Sequence, residues 1–304
     1  MKYIGFIVFS ILLFLPSAGF GDDKVSKESW TMVPTQNHTL ESRILKKNIR
    51  LQISVPEKYN TEEKKYGVIY YLDAFALGGT VREAAAWLQV DNEIPELITV
   101  GIELEVNTAG EWFKERAFIL TPTKSGIYED FGIPEAWTGS GADFLRCIKE
   151  EIIPFIEGKY NTMENERTLV GHSFGGLFAL YTLFDSPKLF NRLLVSSPSL
   201  PWDDRFIFKM ESEYAKKHKE LSANVFLSAG SLENLPDDMM VHQLKEFSTV
   251  LELRKYKGLD ITGIVFEGES HYSVIFPAFS KGLRTLYQQE SADSEKDIDK
   301  PEAE

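Results

Sequence analysis

Two uninterrupted apolar runs, Gly67–Leu72 (GVIYYL) and Leu97–Leu104 (LITVGIEL), constrain this chain more than any other feature. A strand that faces water on one side alternates polar and apolar residues, whereas one apolar throughout needs cover on both faces. The runs therefore predict a mostly parallel central sheet with helices on both faces, an α/β architecture. Leu51, Ile53 and Val55 alternate with polar residues and stop at Pro56, which fits an early half-exposed strand. Further short strands are predicted at Arg167–Gly171, Leu193–Ser196, Val225–Ala229 and Ile261–Phe266. Helical patterns separate them, at 80–90, from 141 onward, at 177–184 and at 241–257. In the second of these, Phe144, Leu145, Ile148, Ile152, Phe155 and Ile156 share one face, and Pro154 should kink the helix or start a new one.

The ends of the chain have different compositions. Lys2 followed by the apolar stretch Ile4–Leu15 and the small residues Ser17, Ala18, Gly19 and Gly21 has the layout of a cleaved leader over 1–21. The apolar stretch is short for a spanning helix of about 20 residues, so no stable membrane insertion is expected after cleavage. Export, to a periplasm or to the medium, is the expectation. Residues 290–304 are dominated by Ser, Asp, Glu and Lys and are expected to form a disordered acidic tail. One folded domain over 30–289 remains. The formal net charge of −13 argues against nucleic acid as a partner, because phosphate neutralisation needs clustered Lys and Arg. Cys147 is the single cysteine, which excludes an intramolecular disulfide and a cysteine zinc site.

Gly171-His172-Ser173-Phe174-Gly175 is a G-x-S-x-G that follows a predicted strand and opens an apolar helix. In that context the serine is expected on a sharp turn with Oγ projecting above the sheet, and Gly171 and Gly175 avoid collisions on either side. Ser173 is the candidate nucleophile. Its base should follow it in the chain, as should an acid between the two. His38 precedes Ser173, His172 adjoins it, and His218 and His242 lie in polar, helix-like stretches. His271 follows a late strand, on a loop at the carboxyl edge of the sheet, where reactive loops gather. The acid should follow the 225–229 strand. Glu233 is nearest the strand end, and Asp237 and Asp238 are alternatives on a longer loop.

Several segments in order carry a resemblance to a known family: VIYYLDAFA (68–76), RAFILTPT (116–123), TLVGHSFGGLFALYTLF (168–184), FNRLLVSSPSLPWDD (190–204), SAGSLEN (228–234) and GESHYSVIFPA (268–278). Together with the helix at 144–162 they resemble the putative esterase (esterase D-like) family of α/β-hydrolases, over about Arg50 to Leu286. The nearest branch contains siderophore esterases that open enterobactin-type trilactones. The resemblance implies an α/β-hydrolase fold and a triad of Ser173, Glu233 and His271. It implies an oxyanion-hole N–H at Phe174 and a second near Ala74-Phe75, with Phe75 the candidate. The family commonly has Asp-Gly where this chain has Asp73-Ala74. In the same scheme Arg116 is a buried-pair or substrate-facing residue, and Trp202 rims the pocket or packs beneath it.

The chemistry so implied is ester hydrolysis through an acyl-enzyme, acting on a small-molecule ester without metal or organic cofactor. An acyltransferase, a peptidase on the same scaffold and a binding protein with a vestigial site are the competing expectations. The acidic balance gives little steering toward a trianionic ferric complex.

Overall fold

The computed structural model describes residues 33–59, 64–233 and 239–298. The expected leader, Asp237, Asp238 and the last six residues of the expected tail lie outside the described residues. Eight strands among the described residues form one sheet: β1 (Gln36–Ser42), β2 (Lys47–Ser54), β3 (Tyr66–Tyr71), β4 (Leu97–Leu104), β5 (Thr162–His172), β6 (Arg192–Ser196), β7 (Glu220–Gly230) and β8 (Lys257–Phe266). Their spatial order is β1-β2-β4-β3-β5-β6-β7-β8. The β1–β2 and β2–β4 pairs are antiparallel. From β4 to β8 every pair is parallel.

The helices are α1 (Ala74–Val90), α2 (Ala109–Leu120), α3 (Gly141–Cys147), α4 (Ile153–Lys159), α5 (Phe174–Asp185), α6 (Trp202–Lys217), α7 (Met239–Arg254) and α8 (Ile275–Ile298). Both faces of the sheet are covered, and the period-two geometry of a strand divides the apolar runs between them. Val68, Tyr70 and Leu72 join one core with Phe144, Leu177 and Phe247. Ile69 and Tyr71 join the other, with Val81 of α1 and Phe279 of α8. The two-sided burial predicted from the unbroken runs is therefore present.

Helix α1 starts six residues earlier than its alanine-rich part suggests, because Asp73 ends β3 in a left-handed conformation (φ 55°) that turns the chain at once into a helix. The paired glycines Gly78 and Gly79 hide that first half from a propensity reading. Ala74 is already helical, so the residue that needs a positive φ here is Asp73, one that tolerates it. The departure from Asp-Gly thus costs nothing at position 74. The helix around Pro154 opens into one π turn, Ile148–Ile152, in which the Ile153 N–H reaches back to the Ile148 carbonyl. Pro154 then begins α4, where its missing N–H is not needed. Helix α8 continues to Ile298, into the segment whose composition predicts a disordered tail. Its Gln, Glu, Ala and Lys are strong helix formers, and they prolong an already nucleated helix.

Helix α8 is bolted along its length. Arg284 pairs with Glu93 at 2.9 Å. Arg192 Nε donates to the Leu286 carbonyl at 3.3 Å, and its guanidinium lies 4.6 Å from the Tyr287 ring centre. The Tyr287 hydroxyl shares a 2.7 Å hydrogen bond with Thr168 Oγ1.

The crossover that leaves β3 runs to β4 and the one that leaves β5 runs to β6, in opposite directions across the sheet, so the strand order switches between β3 and β5. Ligand sites in open parallel sheets form outside the carboxyl ends at such a switch point. Asp73 follows β3 there and Ser173 follows β5. Of the glycines around Ser173, Gly171 is dictated by space, since a Cβ there would lie 2.2 Å from the Gly175 carbonyl oxygen. A Cβ on Gly175 would meet only ordinary contacts, beginning at 3.4 Å from Asp73 Oδ2. Gly171→Ala should therefore lower stability by about 1–3 kcal/mol, whereas Gly175→Ala, inside a helix, should stay within about 1 kcal/mol of the parent. Thermal unfolding of the two variants checks the difference.

Candidate active site

Ser173 sits at φ 59°, ψ −116°, outside the regions an L-residue favours, between the end of β5 and the start of α5. Three backbone hydrogen bonds hold it. Its N–H donates to the Ser196 carbonyl at 3.0 Å, and its carbonyl accepts from Leu177 at 3.0 Å and from Ser199 at 3.2 Å. The strand-to-helix turn expected from the motif is present. The first-turn N–H groups of α5, that of Phe174 among them, have no carbonyl partner within the helix. They give the Ser173 side chain a partly positive neighbourhood.

Glu233 and His271 come from two neighbouring loops. The β7–β8 register pairs Gly230 with Phe266, and both loops leave from that level. They are zipped together by Ser231 N–H to the Phe266 carbonyl and Leu232 N–H to the Glu269 carbonyl, each 2.9 Å. The result is a 2.7 Å contact between His271 Nδ1 and Glu233 Oε2. The Glu233 carboxylate is buried, and its other oxygen accepts from Ser197 Oγ and from the Gly230 N–H, both at 2.5 Å. A carboxylate with two donors on one oxygen is held in orientation, with the remaining oxygen aimed at the imidazole. Ser197 was not singled out from sequence. Its position just past β6 and its left-handed backbone (φ 45°) are what bring Oγ round to Glu233.

Ser173 and His271 line one cleft, of about 90 Å³, together with Asp73, Arg116, Trp112 and His172. The His172 ring centre lies 4.6 Å from that of His271, and His172 Nδ1 is 3.3 Å from Ser196 Oγ. Burial, reinforced by the nearby His271 and Arg116, holds the His172 pKa well below its ordinary value. His172 is thus a neutral ring packed against His271, consistent with its exclusion as the base.

Arg116 makes a bidentate pair with Asp73, Nε to Oδ1 at 2.8 Å and Nη2 to Oδ2 at 2.9 Å, both side chains buried. Its guanidinium is also 5.0 Å from the Trp112 ring centre and 5.2 Å from that of Phe174. Of its two expected roles, the buried pair is the one present, on the wall of the cleft. Two other expectations need correction. Trp202 is fully buried and donates Nε1–H to Thr123 Oγ1 at 3.0 Å. It packs edge-on against Phe174 and does not line the cleft. A left-handed turn at Asp203, Asp204 and Arg205 follows it directly. The Phe75 N–H, expected as an oxyanion donor, instead donates to the buried carboxylate of Glu103. Its side chain stands in solvent against Trp112.

The chain as a whole is similar to known proteins. The family described as putative esterase matches residues 42–286, and the chain belongs to that family. It is 29% identical over 268 residues to ferri-bacillibactin esterase BesA of Bacillus subtilis (strain 168), covering 85% of this chain and 91% of that protein. It is 27% identical to siderophore triacetylfusarinine C esterase of Aspergillus fumigatus, over 78% of this chain and 88% of that one. The crystal structure of BES protein from Bacillus cereus superposes with a TM-score of 0.75 at 30% identity, covering 86% of this chain and 99% of that one. The fold is that of the α/β-hydrolases.

Glu103 is a titratable group that the sequence reading passed over, because it lies inside an apolar strand. Burial is the main cause that pushes its carboxyl up to about 7 from an ordinary 4.5; the Phe75 N–H works against this and the Asp73 charge adds to it. A raised pKa in the folded state means that the native protein binds this proton more tightly than the unfolded chain does. The Glu103 contribution to stability is therefore full below the unfolded pKa and is lost as pH rises through about 7. Glu103→Gln keeps an acceptor for Phe75 and removes the titration. Melting temperature measured against pH should fall less steeply for this variant across that window.

Proposed function

We propose that the protein is an exported serine esterase that hydrolyses carboxylic esters through Ser173, His271 and Glu233. The observation that carries this reading is the 2.7 Å Glu233–His271 contact on the same cleft as the strained Ser173 turn. With Nδ1–H donated to Glu233, His271 keeps Nε2 as the free acceptor. Nε2 takes the Ser173 proton as Oγ bonds to the ester carbonyl carbon, and the carbonyl oxygen becomes an oxyanion. The Phe174 N–H, at the positive end of α5, stabilises that charge. The imidazolium then gives its proton to the leaving alkoxide oxygen as the C–O bond breaks. A water molecule repeats the sequence on the acyl-enzyme and returns Ser173 to its resting state.

Glu233 fixes the imidazole tautomer and supports the imidazolium as it forms. The neutral His172 ring beneath His271 adds no like charge when the imidazolium forms. As a second oxyanion donor Phe75 is disfavoured, because its N–H is already given to Glu103. Membership of the esterase family and similarity to two siderophore esterases support an ester substrate, with a siderophore-type ester as one candidate. The leader-like composition of residues 1–21 supports export.

Treatment with a fluorophosphonate followed by intact mass should give one adduct, on Ser173, and Ser173→Ala should abolish it. An unlabelled Ser173 in folded protein refutes the nucleophile, and the same spectrum of protein from its own host reads leader removal. If an added alcohol, rather than water, takes most of the acyl group, the reaction is transfer and not hydrolysis. Ser197→Ala should lower kcat for 4-nitrophenyl acetate by about 10-fold with little change in KM, because it loosens the acid without touching the substrate.

A further inference from the structure

The mouth of the cleft differs from the rest of the surface in two ways, and both bear on which ester it admits. The first is its apolar, aromatic character. Phe75, Phe113 and Tyr272 are 57%, 43% and 70% exposed. Phe75 and Phe113 flank Trp112 of the wall, with ring centres 6.0 and 5.2 Å away. Tyr272 meets His271 edge-on at 5.3 Å. Single exposed apolar residues are ordinary, but several large aromatic side chains gathered around one cleft mark a binding surface. The cleft itself encloses about 90 Å³. By the same measure a water molecule needs about 10–15 Å³, so a small acyl group fills it and the rest of the substrate lies on the aromatic rim.

The second is charge. Among the described residues that line the cleft Arg116 is the one Lys or Arg, and Asp73 takes two of its three guanidinium nitrogens, Nε and Nη2. The pair is neutral, and a bidentate buried pair does not open to receive another anion without leaving Asp73 unpaired. Glu267 and Glu269 stand on the loop that leads to His271. The whole chain carries −13. An anionic substrate would meet a repulsive field, and the one cation among the described cleft residues is already paired with a buried carboxylate.

We infer that the cleft selects esters whose groups are aromatic or apolar and uncharged, and discriminates against polyanionic ones. The inference rests on the esterase reading and deepens it.

The experiment compares matched esters on the intact protein. 4-Nitrophenyl butyrate and mono-4-nitrophenyl succinate are similar in length and differ by one carboxylate; 4-nitrophenyl 3-phenylpropanoate adds a ring. At low salt kcat/KM should favour the butyrate over the succinate by about 10-fold or more, with the phenylpropanoate best. The gap should narrow near about 1 M NaCl, where the screening length is about 3 Å. Tyr272→Lys and Phe113→Lys should each move the succinate-to-butyrate ratio upward, a change that loss of folding, which lowers both rates, does not produce. Equal or faster turnover of the succinate by the parent protein, or a ratio unmoved by both lysines, overturns the inference. If no ester is cleaved and Ser173 takes no fluorophosphonate, the esterase reading itself falls and the inference with it.

Discussion

At Ser173 the chain passes from a strand into a helix through a conformation that L-residues avoid, a local cost of order 1–3 kcal/mol. Three backbone hydrogen bonds to Ser196, Leu177 and Ser199 hold the turn. Two of them reach the end of β6 and the loop after it, so the turn depends on the neighbouring strand being in register. Gly171 makes the turn sterically possible, because any side chain there would occupy the place of the Gly175 carbonyl. The surrounding architecture follows from this constraint. Helix α5 must leave the sheet at once, its first N–H groups face the reacting side, and Phe174 is pinned against Trp202 and Arg116.

Around the turn, buried charge is handled in three ways. Glu233 is surrounded by donors, from Ser197, Gly230 and His271. Asp73 and Arg116 neutralise each other with matched geometry, which is the condition under which a buried pair can offset its desolvation. Glu103 has one donor, the Phe75 N–H, and an orphaned Oε1. Its raised pKa expresses that imbalance. Of these three carboxylates, Glu233 is the one in contact with a histidine ring.

Much of this site could be read from local pattern. Ser173 was legible because its strand, its turn and its helix are contiguous in the chain. His271 and Glu233 were legible because parallel strands deliver their following loops to one edge. What was not legible depends on partners far apart in sequence. Asp73 and Arg116 are distant in the chain and meet only once α2 packs against β4, beside β3. The Phe75 N–H looked available because nothing local announces the Glu103 carboxylate, which comes from the adjacent strand β4. Trp202 reads as a rim residue because the partners that bury it, Thr123, Tyr128 and Phe174, are distant in the chain. Strand β1 escaped because an edge strand with a polar sequence carries little hydrophobic periodicity.

The fastening of α8 has a consequence for timing. Ile275, part of the cleft wall, belongs to the first turn of that helix, and the later turns are tied to Glu93, Arg192 and Thr168. Rocking the helix to widen the cleft would break these attachments together, a concerted movement of the slow, microsecond-or-longer kind. Rotation of exposed aromatic side chains at the rim needs no such rupture and runs in picoseconds to nanoseconds. Differences in substrate shape are therefore absorbed by the rim long before a chemical step can occur, and the wall behind presents every substrate with the same fixed geometry.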